Sequence, residues 1–281
     1  PSFLTMFFCF YTALVVFCVV GGGRGFQLYD VEPEYERGGD PPRLGYTYRG
    51  REALSPWHDV PFEAGKDAKS GGPLLTFVCE IPRGTVEKME IHKSLPHNPV
   101  VQDKFKDGSL RYYKYGPSVV NYGAVAQTWE DPSIPDPDTG LGGDNDPVDV
   151  LQLNHQACAR GALQRVRVLG ALALVDGGET DWKLLVVDVD DRSERAGWTS
   201  LGDVPEATIA QVRDWFRKYK TAEGKPENTY AFDGQPVDAD HALRVAKLTH
   251  EHWRALIRGS ASCTFEDALC WVRSSPRSDE L

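Results

Sequence analysis

The spacing of apolar residues changes period part-way along the chain, and this change restricts the fold more than any other feature. From about Leu28 to Val60 apolar and polar residues alternate, as in Arg43-Leu44-Gly45-Tyr46-Thr47-Tyr48-Arg49, which suits short antiparallel strands. Leu74 to Ile81 and Lys88 to Lys93 read as two strands around the turn Pro82-Arg83-Gly84-Thr85. Further strands are expected at Leu110 to Tyr115, Asp149 to Leu153, Val166 to Val175 and Lys183 to Val189. Gly65 to Gly72 and the Pro- and Gly-rich Asp131 to Gly143 read as loops. Beyond Asp203 the period lengthens to about 3.6 residues. Asp203 is expected to cap a helix with Glu206 three residues on, and Ile209, Val212, Trp215, Phe216 and Tyr219 then share one face. That helix ends before Gly224, and a second follows Asp238 with Leu243, Val245, Ala246, Trp253, Leu256 and Ile257 as its apolar positions. No repeat or linker separates strands from helices, so residues 26–272 read as one mainly β (α+β) domain with C-terminal helices packed outside it.

The 281 residues, 41% of them hydrophobic, suffice for the core of such a domain. A net charge of -10 argues against a protein that grips nucleic acid, which draws on clustered Lys and Arg. Acidity is compatible with a phosphate substrate when carboxylates hold cations and the cations carry the anion. Phe3 to Val20 is almost wholly apolar and is followed by Gly21-Gly22-Gly23, so residues 1–25 read as a signal peptide or, alternatively, a signal anchor. Residues 273–281 read as a flexible tail whose last four, Ser278-Asp279-Glu280-Leu281, resemble a retention address for the endoplasmic reticulum. Together the two ends favour that lumen, with another endomembrane compartment, or the cytoplasm if the leader does not work, as alternatives. No stable membrane association is expected once a signal is cleaved. Cys79, Cys158, Cys263 and Cys270 show neither disulfide-scaffold density nor a CxxC pattern and read as small buried hydrophobes.

The most informative stretch is Gly142-Gly143-Asp144-Asn145-Asp146-Pro147-Val148-Asp149-Val150. Its three acids repel by about 4 kcal/mol per close pair at an effective dielectric near 20, so they ask for a cation. The spacing suits oxygen-liganded Mg²⁺; a solvated acidic loop is the commoner fate of an isolated Asp-x-Asp. An EF-hand register fails, because Asp149 falls where Gly is needed and His155 where the terminal Glu belongs. In Asp176-Gly177-Gly178-Glu179-Thr180-Asp181-Trp182-Lys183, Asp176 and Asp181 are expected to bracket a four-residue turn and face one ion, with Lys183 on the Asp181 face. Lys88 and Glu90 share a strand face, Met89 and Ile91 the other. Tyr219-Lys220 ends the first helix just before Gly224-Lys225-Pro226-Glu227-Asn228. With Arg111, these lysines supply donors for a polyanion, and metal-assisted phosphoryl transfer follows from the residues alone.

Glu80-Ile-Pro-Arg-Gly-Thr with Lys88-x-Glu90-Ile91, Asn121-Tyr-Gly-Ala-Val-Ala-Gln-Thr-Trp-Glu-Asp-Pro132, Gly143-Asp-Asn-Asp-Pro-Val-Asp149, Asp176 to Lys183, and Trp215-Phe-Arg-Lys-Tyr-Lys220 with Gly224-Lys-Pro-Glu-Asn228 resemble the eukaryotic-type family I soluble inorganic pyrophosphatases. The similarity runs in order from about Leu28 to Arg258. It implies a twisted five-stranded OB-like β-barrel, hydrolysis of pyrophosphate to two phosphates, several Mg²⁺ ions per site (Mn²⁺ or Zn²⁺ as substitutes), and often a homodimer. Matched residue by residue, Asp144, Asp149 and Asp181 would hold one activating metal, with Asp149 shared by a second. Asp176 would join Asp181 at a further metal, and Glu90 would assist another. Asp146 would be the general base towards a metal-activated water. Lys88, Arg111, Tyr219 and Lys220 would bind phosphate oxygens, with Lys183 and Tyr122 also on the substrate side and Glu80, Glu130 and Lys225 of second rank.

The chain departs from the family pattern at Ser118, where a Tyr is usual, leaving Tyr115 as a candidate to reach across, and at Ala126 in place of a Pro, expected to loosen that loop. From another class, a catalytically lapsed OB-type binding or scaffold protein is the alternative. A glycosidase needs two opposed acids around a groove rather than acids gathered with lysines.

Overall fold

The computed structural model describes residues 26–36, 41–50 and 52–272. The apolar run from Phe3 to Val20 and the tail from Arg273 to Leu281 lie outside the described residues, with the readings attached to them. Along the chain run β1 (Val31–Tyr35), β2 (Arg43–Tyr48), β3 (Glu52–Leu54), β4 (Glu63–Lys66), β5 (Pro73–Ile81), β6 (Met89–Ile91), β7 (Val100–Gln102), β8 (Asn121–Val125) and β9 (Asp149–Gln152). Then come β10 (Leu163–Asp176), β11 (Glu179–Asp188), α1 (Glu206–Lys218), β12 (Thr229–Tyr230), β13 (Val237–Asp238), α2 (Ala239–Ile257), β14 (Thr264–Phe265) and β15 (Ala268–Leu269).

β10 and β11 form a long hairpin joined by Gly177 and Gly178, whose φ of 62° and 95° suit a residue without Cβ. β11 pairs parallel with β9; β9 pairs antiparallel with β8, and β8 with β5. β5 then pairs with the first residues of β10, Val78 opposite Leu163 and Leu75 opposite Val166, which closes five strands into a barrel. A second sheet, in the order β1-β2-β7-β6 with β3 on β2, lies apart from this ring, and β14 and β15 make a separate short hairpin.

The strands of the ring bury both faces, which is why they read as apolar runs. On β11, Leu184 and Val186 enter a core with Phe77, Val150 and Val245 of α2. Leu185 and Val187 enter another with Val78, Leu151, and Val212 and Trp215 of α1. Each fully buried Leu or Val contributes about 2 kcal/mol. The mainly β barrel with flanking C-terminal helices is the architecture expected.

Three local readings are corrected. Leu110 to Tyr115 is not a strand; it makes isolated bridges, Glu87 with Tyr112 and Lys104 with Leu110. Asp203 does not cap α1, because Pro205 intervenes at the cap position and the helix starts at Glu206. The Asp203 carboxylate instead accepts N–H groups of Thr199 and Ser200 at 2.8 and 3.1 Å, closing a short 3-10 turn. The four cysteines are not free hydrophobes: Cys79 is bonded to Cys158 and Cys263 to Cys270, with Cα separations of 6.6 and 5.3 Å.

Candidate active site

Asp181, Lys183, Leu185 and Val187 fall on one face of β11, and the parallel register sets Lys183 opposite Asp149 at the start of β9. The Lys183 ammonium therefore bridges two acids, bonding Asp149 Oδ2 and lying 2.5 Å from Asp181 Oδ1. From neighbouring β8 the Tyr122 hydroxyl donates to the same Asp149 oxygen.

The loop before β9 delivers the other acids. Gly143 passes so near Glu130 that a Cβ there would lie 2.4 Å from the Glu130 carbonyl oxygen, so the approach needs glycine. Asp144 then meets Glu130 and Asp181, with one oxygen from each within 4.8 Å of the others. The turn is held by Asn145 N–H on Glu130 O at 3.0 Å and Asp146 N–H on Asp144 Oδ1 at 3.0 Å.

Burial, then repulsion by Asp181, Asp146 and Asp149, holds Asp144 well above the ordinary carboxylate range. Burial pushes Asp181 up to about 7, against the pull of Lys183. Glu130 is raised by burial and then by Asp144 and Asp181. Its Oε1 accepts the Trp182 N–H at 3.0 Å, while its buried Oε2 has no hydrogen-bond partner. Crowded oxygen donors with one orphaned buried oxygen fit a hard divalent cation, which would satisfy that oxygen and relieve the repulsion.

Cationic and phenolic groups surround these acids. Glu80, Lys88, Glu90, Tyr122, Asp146 and Asp149 line one pocket of about 20 Å³. In it Lys88 pairs with Glu90 at 2.6 Å, and buried Glu80 accepts the Ile91 N–H at 2.8 Å. Burial holds the Glu80 carboxyl well above its usual value. Arg111 is fixed by Asp103 at 2.8 Å and Glu223 at 3.2 Å. Just past α1, Tyr219 stacks on Trp215 at 5.1 Å, and Lys220 pairs with Asp176 at the tip of the long hairpin. Burial lowers the Lys220 pKa although Asp176 opposes it. Lys225 is exposed at the rim, its N–H on the Lys220 carbonyl at 3.3 Å.

The family model for inorganic pyrophosphatase matches residues 77–254. The chain belongs to the inorganic pyrophosphatase family. Human inorganic pyrophosphatase is 45% identical over 215 residues, covering 73% of this chain and 70% of that protein. The Zygosaccharomyces bailii inorganic pyrophosphatase is 42% identical over 216 residues, 74% and 73% of the two chains. Among solved structures, the Schistosoma japonicum inorganic pyrophosphatase superposes with a TM-score of 0.73 at 37% identity, over 81% of this chain and 80% of that one. The Toxoplasma gondii type I inorganic pyrophosphatase gives 0.74 at 36% identity, over 80% and 99%.

The residues singled out from the pyrophosphatase motifs converge on one end of the barrel. The tight acidic group consists of Glu130, Asp144 and Asp181; Asp149 stands beside it, joined through Lys183. Asp176 and Asp181 are separated differently from expectation, since the turn is the two residues Gly177-Gly178 and Asp181 pairs with Leu174. Ser118 does not reach the site; its hydroxyl donates to Val120 O at 2.7 Å. Tyr115 is 40% exposed, and the buried tyrosine is Tyr113, edge-on to Tyr219 at 5.7 Å and within the field of Lys88, Asp149 and Lys183. Ala126 tightens rather than loosens its loop, because its N–H bonds Thr76 O at 3.2 Å and a proline has none to give. Lys93, absent from the motif reading, is buried and pairs with Asp146.

Proposed function

We propose that this chain hydrolyses inorganic pyrophosphate to two phosphates, using Mg²⁺ held by Glu130, Asp144 and Asp181 and by Asp149, Asp176 and Glu90 beside them. The observation that carries the reading is the packing of Glu130, Asp144 and Asp181 within 4.8 Å, with the Lys183 ammonium on Asp181 and Asp149. When bound, the cation would supply acidification of water and neutralisation of phosphate charge. Asp146, its side chain 42% exposed while it borders the pocket, takes the proton from the attacking water. That water forms the new P–O bond as the bridging P–O bond breaks, and the departing phosphate keeps the bridging electron pair. Lys88, Lys183, Lys220, Arg111 and Tyr219 donate to phosphate oxygens, while Tyr122 spends its one proton on Asp149 and orients that acid; the ammonium and guanidinium bonds are the stronger because they are charge-assisted. Arg111 arrives already oriented by Asp103 and Glu223, so little freedom is lost on binding.

Phosphate release from pyrophosphate, with Mg²⁺ titrated, tests the reading. Asp146→Asn and Asp181→Asn should each lower kcat by about a hundredfold or more with the circular dichroism unchanged. Wild-type turnover in both variants would overturn the assignment. A homodimer and residence in an oxidising secretory lumen belong to the same proposal; two cystines support the lumen, because thiols are kept reduced in the cytosol. Sedimentation as a monomer would defeat the first, and cytosolic staining of a full-length reporter fusion the second.

A further inference from the structure

A segment outside the 77–254 match leans on the loop that carries Asp144 and Asp146. Residues 263–271 form the β14–β15 hairpin, closed at its base by the Cys263–Cys270 bond and by Cys270 N–H on Cys263 O at 2.9 Å. The hairpin touches the acidic loop at Asn145, between the two aspartates. Asn145 Nδ2 donates to Thr264 O at 2.8 Å, and Cys263 Sγ packs 3.4 Å from Asn145 Oδ1, a contact only, since a disulfide sulfur carries no proton. Asn145 sits at φ 71°, a left-handed conformation that asparagine adopts more readily than most residues.

The same hairpin grips Lys93 at both ends. The Phe265 ring lies 4.4 Å from the Lys93 ammonium, and the Trp271 N–H donates to the Lys93 carbonyl at 2.8 Å. Trp271 is itself anchored, its carbonyl meeting His58 Nε2 at 3.0 Å, while His58 Nδ1 accepts from Trp253 at 2.8 Å. The held ammonium then pairs with Asp146. The hairpin is poorly equipped to stand by itself: each strand has two residues, and Glu266 and Asp267 in its turn have φ of 48° and 61° where glycine or asparagine is favoured.

We infer that this disulfide-closed hairpin is a strap for the reaction, with Lys93 and Asn145 as positioning residues that aim Asp146. The inference rests on Asp146 acting as the base, as proposed above. Without the cystine the hairpin opens, Asn145 loses Thr264, Lys93 loses Phe265, and Asp146 swings out of line with the attacking water.

A Cys263→Ser/Cys270→Ser variant, Lys93→Ala, Lys93→Arg and the triple variant carrying both serines and Lys93→Ala test the strap in the full chain. Opening the hairpin should lower kcat for Mg²⁺-dependent pyrophosphate hydrolysis about tenfold with KM unchanged within about twofold, the signature of a misaimed group. Because Lys93 and Asn145 share the effect, the triple variant should lose more than Lys93→Ala alone but less than the product of the two separate losses, and Lys93→Arg should recover most of the rate. Amide hydrogen exchange without metal gives a readout that needs no turnover: Asn145 and Asp146 should exchange about tenfold faster in the serine variant while β10 and β11 stay protected. Unchanged kcat with unchanged exchange, additive losses, or exchange raised equally throughout the barrel would each overturn the strap. If the wild type released no phosphate, the proposed reaction would fall, and the exchange pattern would still decide whether the hairpin holds the loop.

Discussion

Arg167, buried on β10, meets Asp67 through two parallel bonds of 2.6 and 2.7 Å and spends its remaining nitrogen on the carbonyls of Ala196 and Trp198. The guanidinium holds the Asp67 carboxyl well below the usual range, with Ser70 and Lys69 adding bonds and burial opposing them. The folded pKa is depressed, so the stabilisation is fully present above the unfolded value near 4 and is lost as pH falls through the folded one. Asp67→Asn should cost about 3 kcal/mol at pH 7, because it strands a buried Arg, and the gap from wild type should narrow below about pH 3. Urea unfolding at both pH values measures it. No sequence pattern pairs two residues so far apart, whereas the proximity of Asp144, Asp149, Asp181 and Lys183 was foreshadowed by motifs of short, rigid spacing. Lys93 escaped for a physical reason. Alternation along Lys88 to Lys93 puts it with apolar Met89 and Ile91, but the strand stops at Ile91 and the chain turns, rotating Lys93 onto Asp146.

Among elements, the Cys79–Cys158 bond ties β5 to the turn that feeds β10, where Gly161 N–H also meets Cys79 O at 2.7 Å. Its loop spans 79 residues, so the loop-closure account gives about 4.5 kcal/mol from restricting the unfolded chain. Cys79→Ser/Cys158→Ser should shift the urea midpoint down accordingly, and a shift below about 1 kcal/mol would show that native-state contacts already fix the turn. Cysteine spacing alone could not expose this pair, since partners are chosen by the barrel and not by the interval between them. Helical stretches were read well, because Ile209, Val212, Trp215 and Phe216 keep their period, and the misplaced start of α1 traces to Pro205. The segment Leu110 to Tyr115 alternates like a strand, yet it has no continuous edge to join and is held by separate bonds such as Tyr113 N–H on Val86 O at 2.8 Å.

For the whole molecule, individual strands were visible in the letters but their neighbours were not. Periodicity says that Leu74 to Ile81 and Val166 to Val175 are extended; it does not say that β5 returns to β10, and the five-stranded ring was legible only through family resemblance. That ring has a further consequence. β10 has 14 residues, roughly 45 Å of chain. Near its beginning it seals the ring against β5, and at its far end it presents Asp176 to Lys220. One continuous stretch of backbone thus both closes the ring and sets Asp176 beside Lys220, so a break at the seam also displaces that pair. As urea rises, the rate of phosphate release and the far-ultraviolet signal should decline along a single curve. A molecule unzipped at the seam retains no competent fragment, so a damaged copy falls silent instead of working poorly.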